Sequence, residues 1–246
     1  YHDRTFTVVN GHIFMSTEMD KAPGKTTDEL AKEGMTLESA LKISYDTAST
    51  LQQIHGQDII HGDITPKNIM SDGQTTTLTD FGNSRVIGLD LYPSLPYRED
   101  NEKSYVVSFA NDLPLVGTPD YFAPETFFTG SSVSGDIYSM VTTTLDWTTG
   151  VVVAPKIREE GWSTEIYQST KKAMIESDVP RPVRQAILFN LSTNPENRNL
   201  ELFISALGTS LGAELPAGVR PYSCPSVFAQ TQLSEYSREL AKTIIL

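Results

Sequence analysis

The pattern of apolar and polar positions divides the chain into a short β part followed by a longer helical part. Two β-prone runs, residues 5–9 and 12–15, flank Asn10-Gly11, a dipeptide typical of a tight turn, so residues 4–19 are predicted to form a hairpin. From residue 37 onward apolar side chains recur near helical spacing, and Thr36 is a good N-cap for a long helix that ends near Ile54. The order of elements predicts an α+β fold.

Shorter elements are predicted along the rest of the chain. After the hairpin we expect a short helix over 28–32 and strands near 59–60, 69–70 and 77–79. Four prolines interrupt residues 83–122, which are predicted to be mostly irregular. The hydrophobic, proline-free stretch 136–149 predicts a buried helix. Further helices are expected near 163–176, 180–192 and 199–211, and an amphipathic helix over 233–246.

Composition narrows the classes of function. A chain of 246 residues with 39% hydrophobic residues has enough apolar side chains for a sizeable core. Its net charge of −12 argues against sequence-independent binding of nucleic acid and against adhesion to anionic lipid. No apolar run is long enough to span a bilayer, and no signal peptide is visible. Cys224 is the single cysteine, which excludes an internal disulfide, so we expect a reducing, cytoplasmic setting.

Three polar residues have the spacing of a phosphoryl-transfer site. Asp63 is followed five residues later by Asn68, and Asp80-Phe81-Gly82 begins twelve residues after Asn68. An aspartate and an asparagine often merely cap turns, but the combined spacing disfavours that explanation. At this point the sequence resembles the eukaryotic-type protein kinase family, on the serine/threonine side. The resemblance implies that Asp63 accepts the proton of a substrate hydroxyl, and that Asn68 and Asp80 hold Mg²⁺ on the phosphates of ATP.

Further stretches match the family in the same order. Residues 117–125, Gly-Thr-Pro-Asp-Tyr-Phe-Ala-Pro-Glu, resemble its substrate-docking loop, in which the Thr118 hydroxyl would bond to Asp63. The resemblance implies that Asp136 accepts hydrogen bonds from the backbone of the catalytic loop. It further implies that Glu125 and Arg198 form a buried ion pair that supports the fold. His61 and Phe81 would belong to the packed side chains that link the two lobes.

The adenine site is expected after the hairpin. By resemblance, Thr17 is the gatekeeper, the carbonyl of Glu18 and the N–H of Asp20 face the base, and Met70 packs beneath it. An ordinary strand residue is the alternative for Thr17. The implied fold is protein-kinase-like, with residues 1–20 as a remnant hairpin of the small lobe and residues 21–246 as a mostly helical large lobe that includes an activation segment at 80–125.

Two substitutions depart from the family pattern. Gly62 stands where the family usually has an arginine that binds an activation-loop phosphate, so we expect no switching by phosphorylation there. Thr65 stands where a lysine usually meets the γ-phosphate, and Lys67 is a candidate to supply that charge. The stretch from Asn83 to Phe122 has 40 residues, which is long for an activation segment. A solvated loop is the alternative explanation for this length.

The Gly-rich loop, the strand lysine and the helix glutamate of a complete kinase have no match in these residues. Because the sequence begins at Tyr1, we expect a fragment that lacks most of its small lobe and that alone binds MgATP poorly. The leading hypothesis is a serine/threonine protein kinase acting on protein hydroxyls. The alternatives are a pseudokinase or scaffold, and a kinase of small molecules on the same fold, which the docking loop disfavours.

Overall fold

The predicted hairpin is present at the start of the chain. The computed structural model describes residues 3–9, 12–18, 20–87, 107–108, 114–115, 117–153, 156 and 163–223. Strand β1, Asp3–Val9, pairs antiparallel with β2, His12–Glu18, and Val9 lies opposite His12. The turn expected at Asn10-Gly11, the helix expected over 233–246, Cys224 and most of the segment expected to be irregular lie outside the described residues.

Side-chain caps fix where the first two helices of the body begin. Helix α1, Thr27–Lys32, starts with a capping box in which Thr26 and Glu29 bond to each other's backbone N–H groups. Helix α2, Leu37–His55, begins after Thr36, whose hydroxyl accepts from the backbone of Ser39 at 3.2 Å. The N-cap that the sequence predicts for α2 is confirmed.

Five further helices complete the described body. Helix α3 is Thr126–Thr129 and α4 is Val133–Thr149. Helix α4 begins three residues before the predicted start at 136, because the Ser132 hydroxyl caps it by accepting from the backbone of Gly135 at 2.9 Å. The others are α5, Thr164–Glu176, α6, Arg181–Asn190, and α7, Leu200–Leu211.

The remaining strands are short and antiparallel. Strands β3, Lys25–Thr26, β5, Ile69–Ser71, and β6, Thr76–Leu78, form a three-stranded sheet in the order β3-β5-β6. Strand β4, Ile59–Ile60, pairs with β7, Arg85–Val86, and β8, Val107–Ser108, pairs with β9, Pro114–Leu115. In the first of these sheets, β5 begins directly after Asn68 and β6 ends two residues before Asp80.

Helix α4 is the centre of the hydrophobic core. Every residue from 135 to 145 of this helix is buried. Helix α2 packs on α4 and α7, and α6 packs on α4 and α7. Burial of apolar side chains on all sides of α4 supplies the main favourable free energy, at about 25 cal/mol per Å². The structure is therefore α+β and mostly helical, as the sequence predicts; among the described residues no helix is both long and apolar enough to cross a bilayer.

Candidate active site

A buried carboxylate anchors the loop that contains Asp63. Asp136, which is 2% exposed, accepts hydrogen bonds from the backbone N–H groups of His61 at 2.8 Å and Gly62 at 2.9 Å. It also lies 2.9 Å from Nε2 of His55 at the end of α2. A buried carboxylate needs several donors to offset its lost hydration. These contacts fix the loop against α4, the most buried helix.

The Asp63 carboxylate is held from two sides. Its Oδ1 accepts from the backbone N–H of Thr118 at 2.9 Å, and its Oδ2 accepts from Nδ2 of Asn68 at 3.0 Å. The Nδ2 group of Asn83 lies 3.5 Å from the same Oδ2, at the outer limit of a hydrogen bond. Each carboxylate oxygen has two lone pairs, so Asp63 keeps capacity to accept a further proton.

The contact between Thr118 and Asp63 differs from the one predicted. The sequence predicted a bond from the Thr118 hydroxyl, whereas the bond in the structure comes from its backbone N–H. The reason lies in the preceding residue, Gly117, which has a φ of +137° and passes so close that a Cβ there would lie 3.2 Å from Asp63 Oδ1. This conformation, which favours glycine, turns the next peptide N–H toward the carboxylate.

Asn68 and Asp80 provide oxygen atoms suited to Mg²⁺. The Nδ2 group of Asn68 donates to the backbone carbonyl of Asp63 at 2.9 Å as well as to its carboxylate, so the amide oxygen is left as its acceptor. Asp80 is exposed and accepts only one long bond, from the Gly82 N–H at 3.2 Å, among the described contacts. Mg²⁺ prefers hard oxygen ligands and commonly takes one or two from protein together with phosphates, so this pair fits the ion.

Thr79 joins the Asp80 segment to the catalytic loop. Its backbone N–H and its hydroxyl both donate to the carbonyl of Asn68, at 2.8 and 3.0 Å. Its own carbonyl lies 3.0 Å from Nε2 of His61. The His61 and Phe81 rings meet edge to face, with centroids 4.8 Å apart. These contacts bring Asp80 next to the loop that carries Asp63 and Asn68.

His61 is buried, which sets its charge state. Burial lowers the pKa of its imidazole below the ordinary value of 6.5, although the carboxylates of Asp136, Asp63 and Asp80 act in the opposite direction. The neutral ring can accept at Nδ1 from the backbone N–H of Asp63, 3.3 Å away. His61 therefore supports the loop as an uncharged ring at neutral pH.

The predicted ion pair lies beneath the docking loop. The Arg198 guanidinium binds the Glu125 carboxylate through two nitrogens, one of them at 2.9 Å from Oε2. Arg198 also donates to the carbonyls of Ser134 and Ser192, and it lies over the ring of Tyr138 at 4.7 Å. All of these partners are fixed on the α3–α4 and α6–α7 regions, so the pair joins the docking loop to the helical core.

Two positions of the catalytic loop differ in exposure. Lys67 is exposed in the 3₁₀ turn Pro66–Asn68, beside Asn68. Thr65 is 2% exposed, and its hydroxyl has no hydrogen-bond partner in the described part of the chain. The carbonyl of Pro66 accepts from the buried hydroxyl of Thr27 at 2.7 Å, which ties α1 to this turn.

The residues proposed to bind adenine lie at the end of β2, just after it, and on β5. Thr17 and Glu18 end β2, and their side chains are outside the described part of the structure. Asp20 is exposed just after this strand. Met70 is half-buried in β5, opposite Thr77 of β6 and Thr26 of β3. Their roles in binding a nucleotide stay predictions.

The sequence reasoning missed a second polar contact of the docking loop. The Tyr121 hydroxyl donates to Oδ2 of Asp146 at 2.8 Å, and the Tyr121 carbonyl accepts from the Ser139 hydroxyl at 2.9 Å. Burial, followed by the bond to Asp146, raises the pKa of Tyr121 far above its ordinary value. A signal was available, because a carboxylate in the last turn of a helix is unfavourable unless it has a donor nearby.

Gly62 has a backbone in which a side chain, including the arginine usual in the family, would be strained. Its φ is +82°, and a Cβ there would lie 2.8 Å from the carbonyl oxygen of Asn83 and 3.1 Å from the Ser131 hydroxyl. Both the left-handed conformation and the close approach favour glycine. The local backbone therefore favours the glycine that this chain has at position 62.

Comparisons with known proteins find similarity to protein kinases. A probable serine/threonine-protein kinase of Clostridium perfringens is 25% identical over 188 residues, which cover 73% of this chain and 25% of that protein. A serine/threonine-protein kinase of Saccharomyces cerevisiae is 35% identical over 96 residues, covering 38% of this chain and 14% of that protein. The human dual serine/threonine and tyrosine protein kinase is 29% identical over 109 residues, covering 44% and 10% respectively.

The chain thus spans a quarter or less of the length of these relatives. A family model, that of the protein kinase domain, matches residues 5–214, which include every residue of the site described above. The match covers most of the chain, and the chain belongs to the protein kinase family.

Proposed function

We propose that this chain carries the catalytic core of a kinase that transfers the γ-phosphoryl group of ATP to serine or threonine hydroxyls of proteins. The observation that carries the proposal is the Asp63 carboxylate, oriented by the Thr118 N–H on one oxygen and by Asn68 on the other. Such a carboxylate can accept the proton of an alcohol as its oxygen attacks phosphorus. The new bond is O–P, the bond to the ADP oxygen breaks, and ADP leaves.

The neighbouring residues would prepare this step. Asn68 and Asp80 would hold Mg²⁺, which when bound neutralises charge on the phosphates. Asn68 also fixes the orientation of Asp63, so one side chain contributes to both the metal and the base. Asp136 keeps the loop in place from beneath. We further propose that residues 1–20 belong to the small lobe, with Thr17, Glu18, Asp20 and Met70 at the adenine, and that Lys67 meets phosphate.

The acceptor is the finer part of the proposal. Two of the relatives are named serine/threonine kinases, while another is named for both serine/threonine and tyrosine. Thr118 before Pro119 in the docking loop favours serine and threonine by resemblance to the family. Phosphoamino-acid analysis of labelled protein substrates decides between the acceptors, and phosphotyrosine as the main product would contradict the proposal.

Asp63→Asn, made in a protein that carries this chain together with a complete small lobe, tests the proposed base. The substitution keeps the shape of the side chain and removes its ability to take a proton, so the rate of phosphoryl transfer from labelled ATP should fall by about 100-fold or more. Magnesium-dependent ATP binding should persist. Asp178→Asn is the matched control, because Asp178 is exposed between α5 and α6, away from the site. An unchanged rate in Asp63→Asn would overturn the assignment.

A kinase-like binding protein without catalysis is the second candidate, and one observation favours it. Thr65 is buried and neutral at the position where the family resemblance expects a lysine on the γ-phosphate. Under this hypothesis the wild-type protein binds ATP with Mg²⁺, or binds no nucleotide, and transfers no phosphate to protein. Measurement of ATP affinity and transfer rate on a protein that carries this chain together with a complete small lobe separates the two candidates.

A further inference from the structure

One side-chain hydrogen bond joins helix α1 to the turn that ends at Asn68. The hydroxyl of Thr27, the first residue of α1, donates to the carbonyl of Pro66 at 2.7 Å. Thr27 is 0% exposed, and Pro66 is buried as well. The two residues lie 39 positions apart, so this bond is a tertiary contact between separate elements.

Other buried threonines in the helices use their hydroxyls differently. The hydroxyls of Thr47 in α2 and of Thr142 and Thr148 in α4 donate to carbonyls of their own helices, at 2.8, 3.0 and 2.8 Å. Such local bonds satisfy a buried hydroxyl without connecting it to another element. The Thr27 hydroxyl instead satisfies a backbone acceptor on the catalytic loop.

The turn that Thr27 contacts is short, and it places Asn68. In the 3₁₀ turn Pro66–Asn68, the last residue accepts from Thr79 at its carbonyl and donates to Asp63 from its side chain. Among the described hydrogen bonds, the one from Thr27 is the only one that reaches the first two residues of the turn from another element. The beginning of the turn therefore depends on Thr27.

The segment just before Thr27 is fixed against β5. Thr26 lies opposite Met70 in the β3–β5 pair. Gly24 has a φ of +83° and passes so close to β5 that a Cβ there would lie 2.0 Å from the carbonyl oxygen of Ser71. Since this segment follows β2, the Thr27 bond connects the side of the proposed adenine site with the turn beside the proposed metal site.

Without its donor, the carbonyl of Pro66 would be a buried acceptor with no partner. Such a group is costly, so its peptide would shift until it reaches another donor or a water molecule. Asn68 is two residues further on, and its Nδ2 bonds to Asp63 leave the amide oxygen for a metal. Mg²⁺ demands near-octahedral geometry, so a displaced ligand weakens its binding.

We propose that Thr27 is a positioning residue for the metal site, whose hydroxyl fixes the turn so that the amide oxygen of Asn68 meets Mg²⁺. The inference rests on the proposed kinase function and on the role proposed there for Asn68. In the described contacts Thr27 bonds to neither Asn68 nor Asp80, so it acts through the turn and not on the reacting atoms.

Three variants test this role in a protein that carries this chain together with a complete small lobe. Thr27→Val removes the hydroxyl and keeps the shape, whereas Thr27→Ser keeps the donor. Thr47→Val is the matched control, because Thr47 is 1% exposed and its hydroxyl bonds within α2. Titration of a fluorescent ATP analogue at increasing Mg²⁺ gives the apparent affinity for the metal, and titration in EDTA gives the affinity for nucleotide alone. Thermal unfolding establishes that each variant is folded.

Thr27→Val should lower the apparent affinity for Mg²⁺ by about tenfold and leave the affinity for nucleotide in EDTA unchanged, because groups that orient a metal ligand change metal affinity on this scale. Thr27→Ser should restore the affinity for Mg²⁺. Thr47→Val should leave it unchanged, even where it lowers the unfolding temperature as much as Thr27→Val does. Wild-type Mg²⁺ affinity in Thr27→Val, or an equal loss in Thr27→Ser or in Thr47→Val, would each overturn the proposal.

The same proteins separate this proposal from the kinase function. Because the titrations need no phosphoryl transfer, a protein that shows the Thr27 effect on Mg²⁺ but transfers no phosphate would contradict the kinase function alone. A Thr27→Val variant that transfers phosphate with the Mg²⁺ requirement of the wild type would contradict the positioning role alone. Nucleotide binding by the wild type that does not depend on Mg²⁺ would overturn both.

Discussion

The two aspartates proposed to act on the substrate and the metal have very different surroundings. Asp63 is 9% exposed and its carboxylate is bonded through both oxygens. Asp80 is exposed, has a left-handed backbone with a φ of 60°, and accepts one long bond from Gly82. The proposed base is thus fixed before any substrate binds, whereas the proposed metal ligand is held lightly. Preorganisation in this site is therefore concentrated in the loop anchored by Asp136.

The largest expected effect comes from removing that anchor. Asp136→Ala leaves the backbone N–H groups of His61 and Gly62 without their acceptor, so the free energy of unfolding should fall by about 3 kcal/mol. The transfer rate should fall as well, because the loop that carries Asp63 would lose its anchor on α4. Urea unfolding measures the stability, with Glu201→Ala, at an exposed position of α7, as the control. A loss no larger than that of the control would show that the loop does not depend on Asp136.

A substitution at Gly62 in the same loop should lower the free energy of unfolding by about 2 kcal/mol. In Gly62→Ala, the new alanine has to adopt a left-handed backbone conformation, and its Cβ would lie 2.8 Å from the carbonyl oxygen of Asn83. Gly73→Ala is the matched control, since Gly73 has a similar φ of +89° and open space around a Cβ. The difference in unfolding free energy between these two variants measures the cost of the close approach, and equal losses would contradict it.

At Asp80, glycine should be a more stable replacement than alanine. Glycine adopts the left-handed conformation of residue 80 without strain, whereas alanine is strained in it. The Asp80→Gly variant should therefore be more stable than Asp80→Ala by about 1 kcal/mol. Both variants remove the carboxylate, and both should lose magnesium-dependent ATP binding. Unfolding and nucleotide titrations on the same pair give both quantities. A glycine variant less stable than the alanine variant would mean that the backbone at this position is not strained.

The smallest effect concerns the charge of His61. Because burial lowers its pKa in the folded state, the stability that the neutral ring provides is present above its ordinary pKa of 6.5 and is lost as the pH falls below it. The unfolding free energy of the wild type should therefore decline between pH 7.5 and pH 5, and less so in His61→Phe. His55 is retained in both proteins, so its contribution cancels from the difference. Equal declines of the unfolding free energy in the two proteins would show that groups other than His61 cause the pH dependence.

Much of the fold follows from local patterns. The cap at Thr36 and the apolar spacing behind it predicted α2, and the proline-free run after 136 predicted most of α4. The start of α4 was not predicted because the first turn of the helix, which follows Ser132, contains a glycine and shows no apolar periodicity of its own. Periodicity thus locates the body of a helix, while the hydroxyl cap that fixes its first residue needs a separate signal.

The candidate site is predictable in its residues but less so in its contacts. Motif spacing selected Asp63, Asn68 and Asp80, and the structure brings the first two into direct contact. The spacing did not reveal which atom of Thr118 meets Asp63, because that depends on the backbone angles of Gly117. The Tyr121–Asp146 bond joins the docking loop to a residue of α4 that is 25 positions later, so no single motif contains it.

The backbone bond from Thr118 to Asp63 has a consequence for natural variation. Since every amino acid except proline carries that N–H, the contact itself places no demand on the identity of the side chain at position 118. Any preference for threonine there has to come from another interaction of its hydroxyl or methyl group. Variants of this protein that differ at position 118 should therefore keep the orientation of Asp63, and proline is the one replacement that removes the donor.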